Sequence, residues 1–334
     1  MVFRLIKKIL LFLVVQSCFF SQFVFADEAS VLYLKVFSVN ENIVVKANLM
    51  GEHLTYKVKE SKTKINLDFS HLWNELDTWE VTKESVDKRI SHYEDLFLKP
   101  INGLLKKAKQ IHFIVDENSV RYAMGLIPYE GKPLFLHYPI SYSYNNVVVT
   151  QKSFYSESWS GLSISDHTAD PENAASYLSK FILNNSHYKM EDLSYSKFVE
   201  SGPFDVLLFS LHGVRTDSSA RMTFNEQWLS ANDFSHFKSK LIYLDSCQMG
   251  SSIDFLKKLQ DYGNEFFIAP LFSNEAGGSS SATIKGFFSN LKSGDSPAVS
   301  MYKVRKELFE KYSKSDGVDV AYWKAFPFRV YQQI

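Results

Sequence analysis

Cysteine is almost missing from this 334-residue sequence, which contains two, Cys18 and Cys247. That scarcity excludes a disulfide scaffold, and no C-x-x-C is present to hold zinc or run dithiol chemistry. H-E-x-x-H is missing as well, and the nine histidines show no clustering with ligand spacing, so no metal or other cofactor is expected. G-x-S-x-G is absent, which removes the usual serine-hydrolase signature. Between Gly125 and Gly131-Lys132 lie five residues where a phosphate loop has four, and Pro133 stands where Ser or Thr is needed. Neither sign of charge dominates: 37 Lys and Arg balance 37 Asp and Glu, so there is no electrostatic footprint for nucleic acid. Repeats and Pro-rich or Gly/Ser linkers are also lacking, which leaves no firm domain boundary.

The residues that are present begin with a targeting segment. Arg4, Lys7 and Lys8 precede the apolar run 9–15, and Val24-Phe25-Ala26 offers a cleavage site, so residues 1–26 read as a signal peptide cut after Ala26. An uncleaved anchor is the alternative, but Gln16, Ser17, Ser21 and Gln22 interrupt the apolar run and make a poor membrane span. Val15-Gln16-Ser17-Cys18 also faintly resembles a lipoprotein box, which Gln16 fits badly. Cleavage removes three basic residues and gives a mature formal charge of −3. It also removes Cys18. An exported chain with Cys247 alone cannot use it as an internal staple; it is a buried bystander or a free thiol with a task.

In the mature part, 31–38 and 42–49 are β-branched and aromatic and read as a hairpin, which 54–58 and 65–69 would extend into a β-rich portion covering 27–80. Residues 82–109 carry apolar side chains near helical spacing, with a break at Pro100. Short strands are expected at 110–115 and 147–149, and a helix at 171–184. Toward the C-terminus, helices are expected at 253–262, 283–291 and 297–312, a strand at 266–269, and strand character over 318–331. Strands alternating with helices imply an α/β fold, with a mainly parallel sheet covered on both faces.

Two apolar runs carry the chemistry. Residues 204–213 read F-D-V-L-L-F-S-L-H-G and residues 241–250 read L-I-Y-L-D-S-C-Q-M-G. Each is a buried strand whose carboxyl end delivers polar residues, the edge at which open α/β sheets bind ligands. His212 and Cys247 are 35 residues apart, enough for one crossover between neighbouring strands. An imidazole beside a thiol can supply the thiolate. Gly213 has no side chain, so its N–H can approach a reacting carbonyl and form an oxyanion hole together with the N–H of Cys247. Either residue alone would more often be structural; the joint pattern is what points to catalysis.

This pattern resembles the caspase-like cysteine peptidases, in which one hydrophobic block precedes His-Gly and a second precedes a motif ending in Cys. More narrowly, the chain resembles a CHAT domain. The stretches 93–107, 111–116 and 131–144 resemble the family's helix before its first core strand, that strand with the turn after it, and a segment between sheet strands, and F-F-I-A-P-L-F, G-D-S-P-A and Y-W-K-A-F match its C-terminal signatures in order. The resemblance covers roughly residues 30–334 and assigns 27–334 to one such domain. It lacks the TPR repeats often joined to the family, and the proline expected near 120–124. It implies His212 as base, Cys247 as nucleophile, and Gly213 with Cys247 as oxyanion donors. In the D-x-C motif of metacaspases, the residue matching Asp245 helps bind a basic substrate residue; a capping or hydrogen-bonding role for Asp245 is the equal alternative. Glu275, in the loop 272–281, is a candidate substrate contact. The expected function is that of an exported bacterial cysteine endopeptidase, periplasmic or secreted, acting on a protein or peptide, with an activating protein partner left open. The rival reading is a non-catalytic or partner-gated interaction domain.

Overall fold

The computed structural model describes residues 30–145, 155–216 and 219–333. The expected hairpin forms from β1 (Val31–Val39) and β2 (Asn42–Leu49), joined next by β3 (Glu52–Ser61). There the β-rich portion ends. Residues 65–69, expected as strand, lie in helix α1 (Lys62–Asp77), capped by the Ser61 side chain. Its buried residues Ile65, Phe69, Leu72, Trp73 and Leu76 recur at helical spacing, and burial of that stripe overrides the local β-propensity.

The stretch 82–109 breaks as Pro100 demands. Helix α2 (Lys83–Ile90) gives way to a π-turn, a 3₁₀ turn containing Pro100 and one short α-turn. Strand β4 (Gln110–Val115) comes next, then a ribbon of β5 (Pro128–Tyr129) and β6 (Lys132–Pro133), then β7 (Ile140–Tyr144). The strand expected at 147–149 and the signal peptide lie outside the described residues. Strand β8 (Ser160–Ser165) has no counterpart among the expected elements. In place of a helix over 171–184 there is a 3₁₀ segment, Ala174–Lys180, and then edge strand β9 (Asn184–Lys189). Asn173 sits left-handed at φ +50°, and the Asp170 carboxylate caps the first two N–H groups, accepting from Ala174 at 2.7 Å and Ala175 at 2.8 Å.

The two motif strands are β10 (Val206–Ser210) and β14 (Leu241–Asp245). Between them a small antiparallel sheet forms from β11 (Gly213–Arg215), β12 (Ala220–Phe224) and β13 (Gln227–Leu229). Helix α3 (Ile253–Asp261) crosses to β15 (Phe266–Pro270), and helices α4 (Gly278–Lys292) and α5 (Pro297–Ser315) lie beyond it in the chain. The terminal stretch, expected to have strand character alone, divides into helix α6 (Val318–Ala325) and strand β16 (Phe328–Gln332).

Among the described residues, the main sheet has 11 strands in the order β3-β2-β1-β4-β7-β16-β15-β14-β10-β8-β9. Pairing is antiparallel at β3–β2, β2–β1 and β15–β16 and parallel at the other neighbours. Both faces are buried where the motif strands lie. Leu207, Phe209, Ile242 and Leu244 enter one core, while Val206, Leu208, Leu241 and Tyr243 enter the other. That is why these strands read as unbroken apolar runs. The result is the expected α/β fold, a large, mostly parallel sheet flanked by helices and entered through an N-terminal hairpin.

Candidate active site

Strands β8, β10, β14 and β15 run parallel, so their carboxyl ends meet at one edge. The register places Ser210 opposite both Asp245 and Ser165. The ladder runs on past the strand ends: Leu211 N–H donates to Asp245 O at 3.3 Å and Asp166 N–H to Ser210 O at 3.0 Å. His212 and Cys247 thus emerge from adjacent strands, each two residues beyond a paired position, with Asp166 and Thr168 emerging beside His212.

His212 is exposed, and its Nε2 lies 2.8 Å from Thr168 Oγ1. The Thr168 hydroxyl donates to Asp166 Oδ1 at 2.7 Å, so its oxygen is left to accept the His212 Nε2–H. Neutral His212 then carries its proton on Nε2 and has a free lone pair on Nδ1. Asp166 is buried, which alone would raise its pKa. The backbone and hydroxyl bonds from Thr168 and the nearby His212 and His167 rings outweigh burial and hold it below the usual carboxylate value.

Cys247 is half-buried, and its Sγ faces Asn274 O at 3.9 Å. Burial pushes the thiol pKa up, a backbone hydrogen bond from Asn274 to the sulfur opposes this, and the Asp245 charge adds to it; the net shift is upward. At neutral pH the resting group is therefore a thiol. Gln248, the next residue, is left-handed at φ +64°, which turns the chain sharply behind the sulfur.

Gly213 is fixed by space. A Cβ there would stand 2.5 Å from Cys247 O and 2.8 Å from Cys247 N. The hydrogen-bond phase of the small sheet also sets its N–H. Thr223 N–H donates to His212 O at 2.9 Å and Thr216 N–H to Ser219 O at 2.8 Å, so by alternation Gly213 and Met222 are a non-hydrogen-bonded pair. The Gly213 N–H consequently points away from β12.

The two predicted substrate contacts are occupied within the protein. Asp245 is buried and accepts from Ser210 Oγ at 2.5 Å, from Asn274 Nδ2 at 2.7 Å and from Ser280 Oγ. Burial dominates and raises its pKa to about 6, against the Ser210 and Ser280 hydrogen bonds. Glu275 pairs with Lys324 at 3.1 Å and accepts from Ser279 N–H at 2.9 Å, capping the first turn of α4. Asp245, buried with three of its roughly four acceptor sites filled, takes a cation by exchanging one of these bonds, whereas Glu275 keeps acceptor sites beyond its two bonds.

Asp166, Thr168 and Asn274 are not among the residues to which the sequence points. The signal for the first two is a third run, S-G-L-S-I-S, ending in Asp166-His167-Thr168. Its serines and glycine lack β-propensity, yet it alternates and ends in polar residues like the other two.

No protein-family model matches the chain, and no curated protein does. Solved structures do. The fold is similar to that of separase from Saccharomyces cerevisiae in its complex with securin, with a TM-score of 0.55 at 8% identity over 90% of this chain. The chain spans 30% of that separase chain. A second similar structure is the complex of the pro- and mature domains of RgpB from Porphyromonas gingivalis, with a TM-score of 0.45 at 9% identity, covering 80% of this chain and 74% of that one.

Proposed function

We propose that the protein is a cysteine endopeptidase whose nucleophile is Cys247 and whose base is His212, within a CHAT-like domain. The observation that carries this reading is the convergence at one sheet edge: Gly213 packs against the Cys247 backbone, and His212 has its Nε2 tied to Thr168. Separase, whose fold the chain shares, belongs to the caspase-like cysteine peptidases, which supports the class.

In the acylation step, His212 Nδ1 takes the Cys247 thiol proton, and the thiolate attacks the peptide carbonyl carbon. The N–H groups of Gly213 and Cys247 receive the developing oxyanion. Thr168 and Asp166 stabilise the imidazolium through Nε2. His212 returns its proton to the leaving amine as the C–N bond breaks. Water, deprotonated by His212, then hydrolyses the thioester and regenerates the thiol. Selection for Arg or Lys requires Asp245 to exchange its Ser280 or Asn274 bond for the incoming cation, a charge-assisted pair in a buried site.

The second reading, a partner-gated domain, is favoured by the resting thiol: Cys247 is protonated and turned toward Asn274. A protein partner that moves the 271–275 loop would arrange the dyad. The protein would act on protein substrates in the periplasm or outside the cell after cleavage behind Ala26, and mass measurement of the exported form tests that cleavage. Function is tested with acyloxymethyl ketone probes carrying Arg or Asp. Arg-directed labelling of Cys247 supports the endopeptidase; no labelling by either, with cell lysate present, rejects it. Arg labelling that survives Asp245→Ala removes Asp245 from specificity.

A further inference from the structure

Asp77 is the last residue of α1, where the helix dipole is negative and a carboxylate is unfavourable. The last turn holds no basic residue to offset it. Its surroundings explain its presence. Asp77 Oδ1 accepts Ser273 N–H at 2.7 Å, and both its oxygens accept from Gln248 Nε2 at 3.0 Å. Gln248 directly succeeds Cys247. Ser273 directly precedes Asn274, whose carbonyl faces the Cys247 sulfur and whose amide holds Asp245.

Two tryptophans from the same region reinforce the grip. Trp73 Nε1–H donates to Leu271 O at 2.9 Å, and Trp79 Nε1–H to Ser273 O at 3.1 Å. Trp79 is itself left-handed at φ +61°, a backbone state disfavoured for a bulky residue, and it stacks on Trp323 with ring centroids 4.9 Å apart. Asp77 Oδ1 alone accepts from both Ser273 N–H and the Gln248 amide, so one carboxylate joins the two segments directly.

We propose that Asp77 is a positioning residue for Cys247: its carboxylate clamps the two segments that flank the sulfur, so the N-terminal portion of the chain sets the reactivity of the thiol. The importance of this for catalysis rests on Cys247 being the nucleophile. The clamp itself does not, and it is read without turnover.

The test is alkylation of Cys247 by iodoacetamide as a function of pH, in full-length protein carrying Cys18→Ala. Gln248→Ala cuts one arm of the clamp and leaves the Asp77 charge in place, so the Cys247 rate at pH 7 should rise about tenfold, an ordinary coupling for side chains in contact. Asp77→Ala cuts both arms and also removes a charge that raises the thiol pKa, so its rate should rise further and the midpoint of its pH profile should fall. In the double variant, Gln248→Ala should add little to Asp77→Ala, because its partner is already gone. A merely structural pair would lose thermal stability with no change in the alkylation profile. An unchanged profile in folded Gln248→Ala overturns the proposal, and so does a folded double variant in which the two effects add in full. If Asp77→Ala does not fold, Gln248→Ala alone decides. Should no peptide or probe ever react at this site, the alkylation result still stands, and its failure would leave the peptidase reading untouched.

Discussion

The two arms of the candidate site are held in opposite ways. On the base arm, His212 is exposed and fastened by one chain of bonds through Thr168 to Asp166. On the nucleophile arm, Cys247 is half-buried amid Asp245, Asn274, Ser280, Gln248 and Asp77. The carboxylates report the difference. Asp166 lies below its usual pKa because hydrogen bonds and imidazole charge outweigh burial, whereas burial dominates at Asp245 and lifts it to about 6. The base arm keeps its charge available, and the nucleophile arm suppresses charge, which keeps the resting sulfur protonated. A site built this way has low basal reactivity and waits for substrate or a partner to bring the arms together.

The largest expected effect removes an arm altogether. Cys247→Ala should abolish probe labelling and peptide cleavage while the far-UV spectrum stays unchanged. His212→Ala should lower kcat/KM by about 10²–10⁴ yet leave iodoacetamide alkylation of Cys247 near the parent rate, because the resting thiol faces Asn274. Equal losses in both assays would show the arms already coupled at rest. A smaller effect comes from loosening the base arm. Thr168→Val keeps the shape but removes the hydroxyl, and kcat/KM should fall about 10–100-fold, as for a hydrogen bond to a charged group. Thr168→Ser should recover most of it. Unaltered kinetics in Thr168→Val would break the asymmetry between the arms.

The last expected effect is read in stability rather than in rate. Asp245 has its pKa raised from 3.8 to about 6, so the native state binds its proton more tightly than the unfolded chain. The penalty is absent below the unfolded value, grows through pH 4–6, and is complete above the folded value. It amounts to about 3 kcal/mol at pH 7. Asp245→Asn should flatten the fall in melting temperature between pH 4 and 6. An identical slope in both proteins would place the titration elsewhere.

Legibility in the sequence divides along the same line. The runs 204–213 and 241–250 are readable because strands buried on both faces are continuously apolar, and each gives way to a short polar stretch. The gap between His212 and Cys247 correctly implies neighbouring parallel strands. Strand β8 is hidden by its serines, and with it Asp166 and Thr168. Residues 65–69 of helix α1 look like strand when local β-propensity is weighed ahead of the longer stripe that ends at Leu76. That misreading conceals Asp77, which reaches Gln248 and Ser273 across 171 and 196 residues. Contacts at such separations leave no local pattern. The same holds for Asp245 and Glu275: their residue types suit a substrate pocket, while their hydrogen bonds depend on Ser280, Asn274 and Lys324, which the fold brings to them.

The most direct test is intact-mass analysis of the protein after incubation with an Arg acyloxymethyl ketone, run beside His212→Ala. The account predicts one adduct, located at Cys247, formed by the parent alone or once lysate is added, and lost in His212→Ala. Labelling of Cys247 at equal rates with and without His212, or no adduct under either condition, would contradict it.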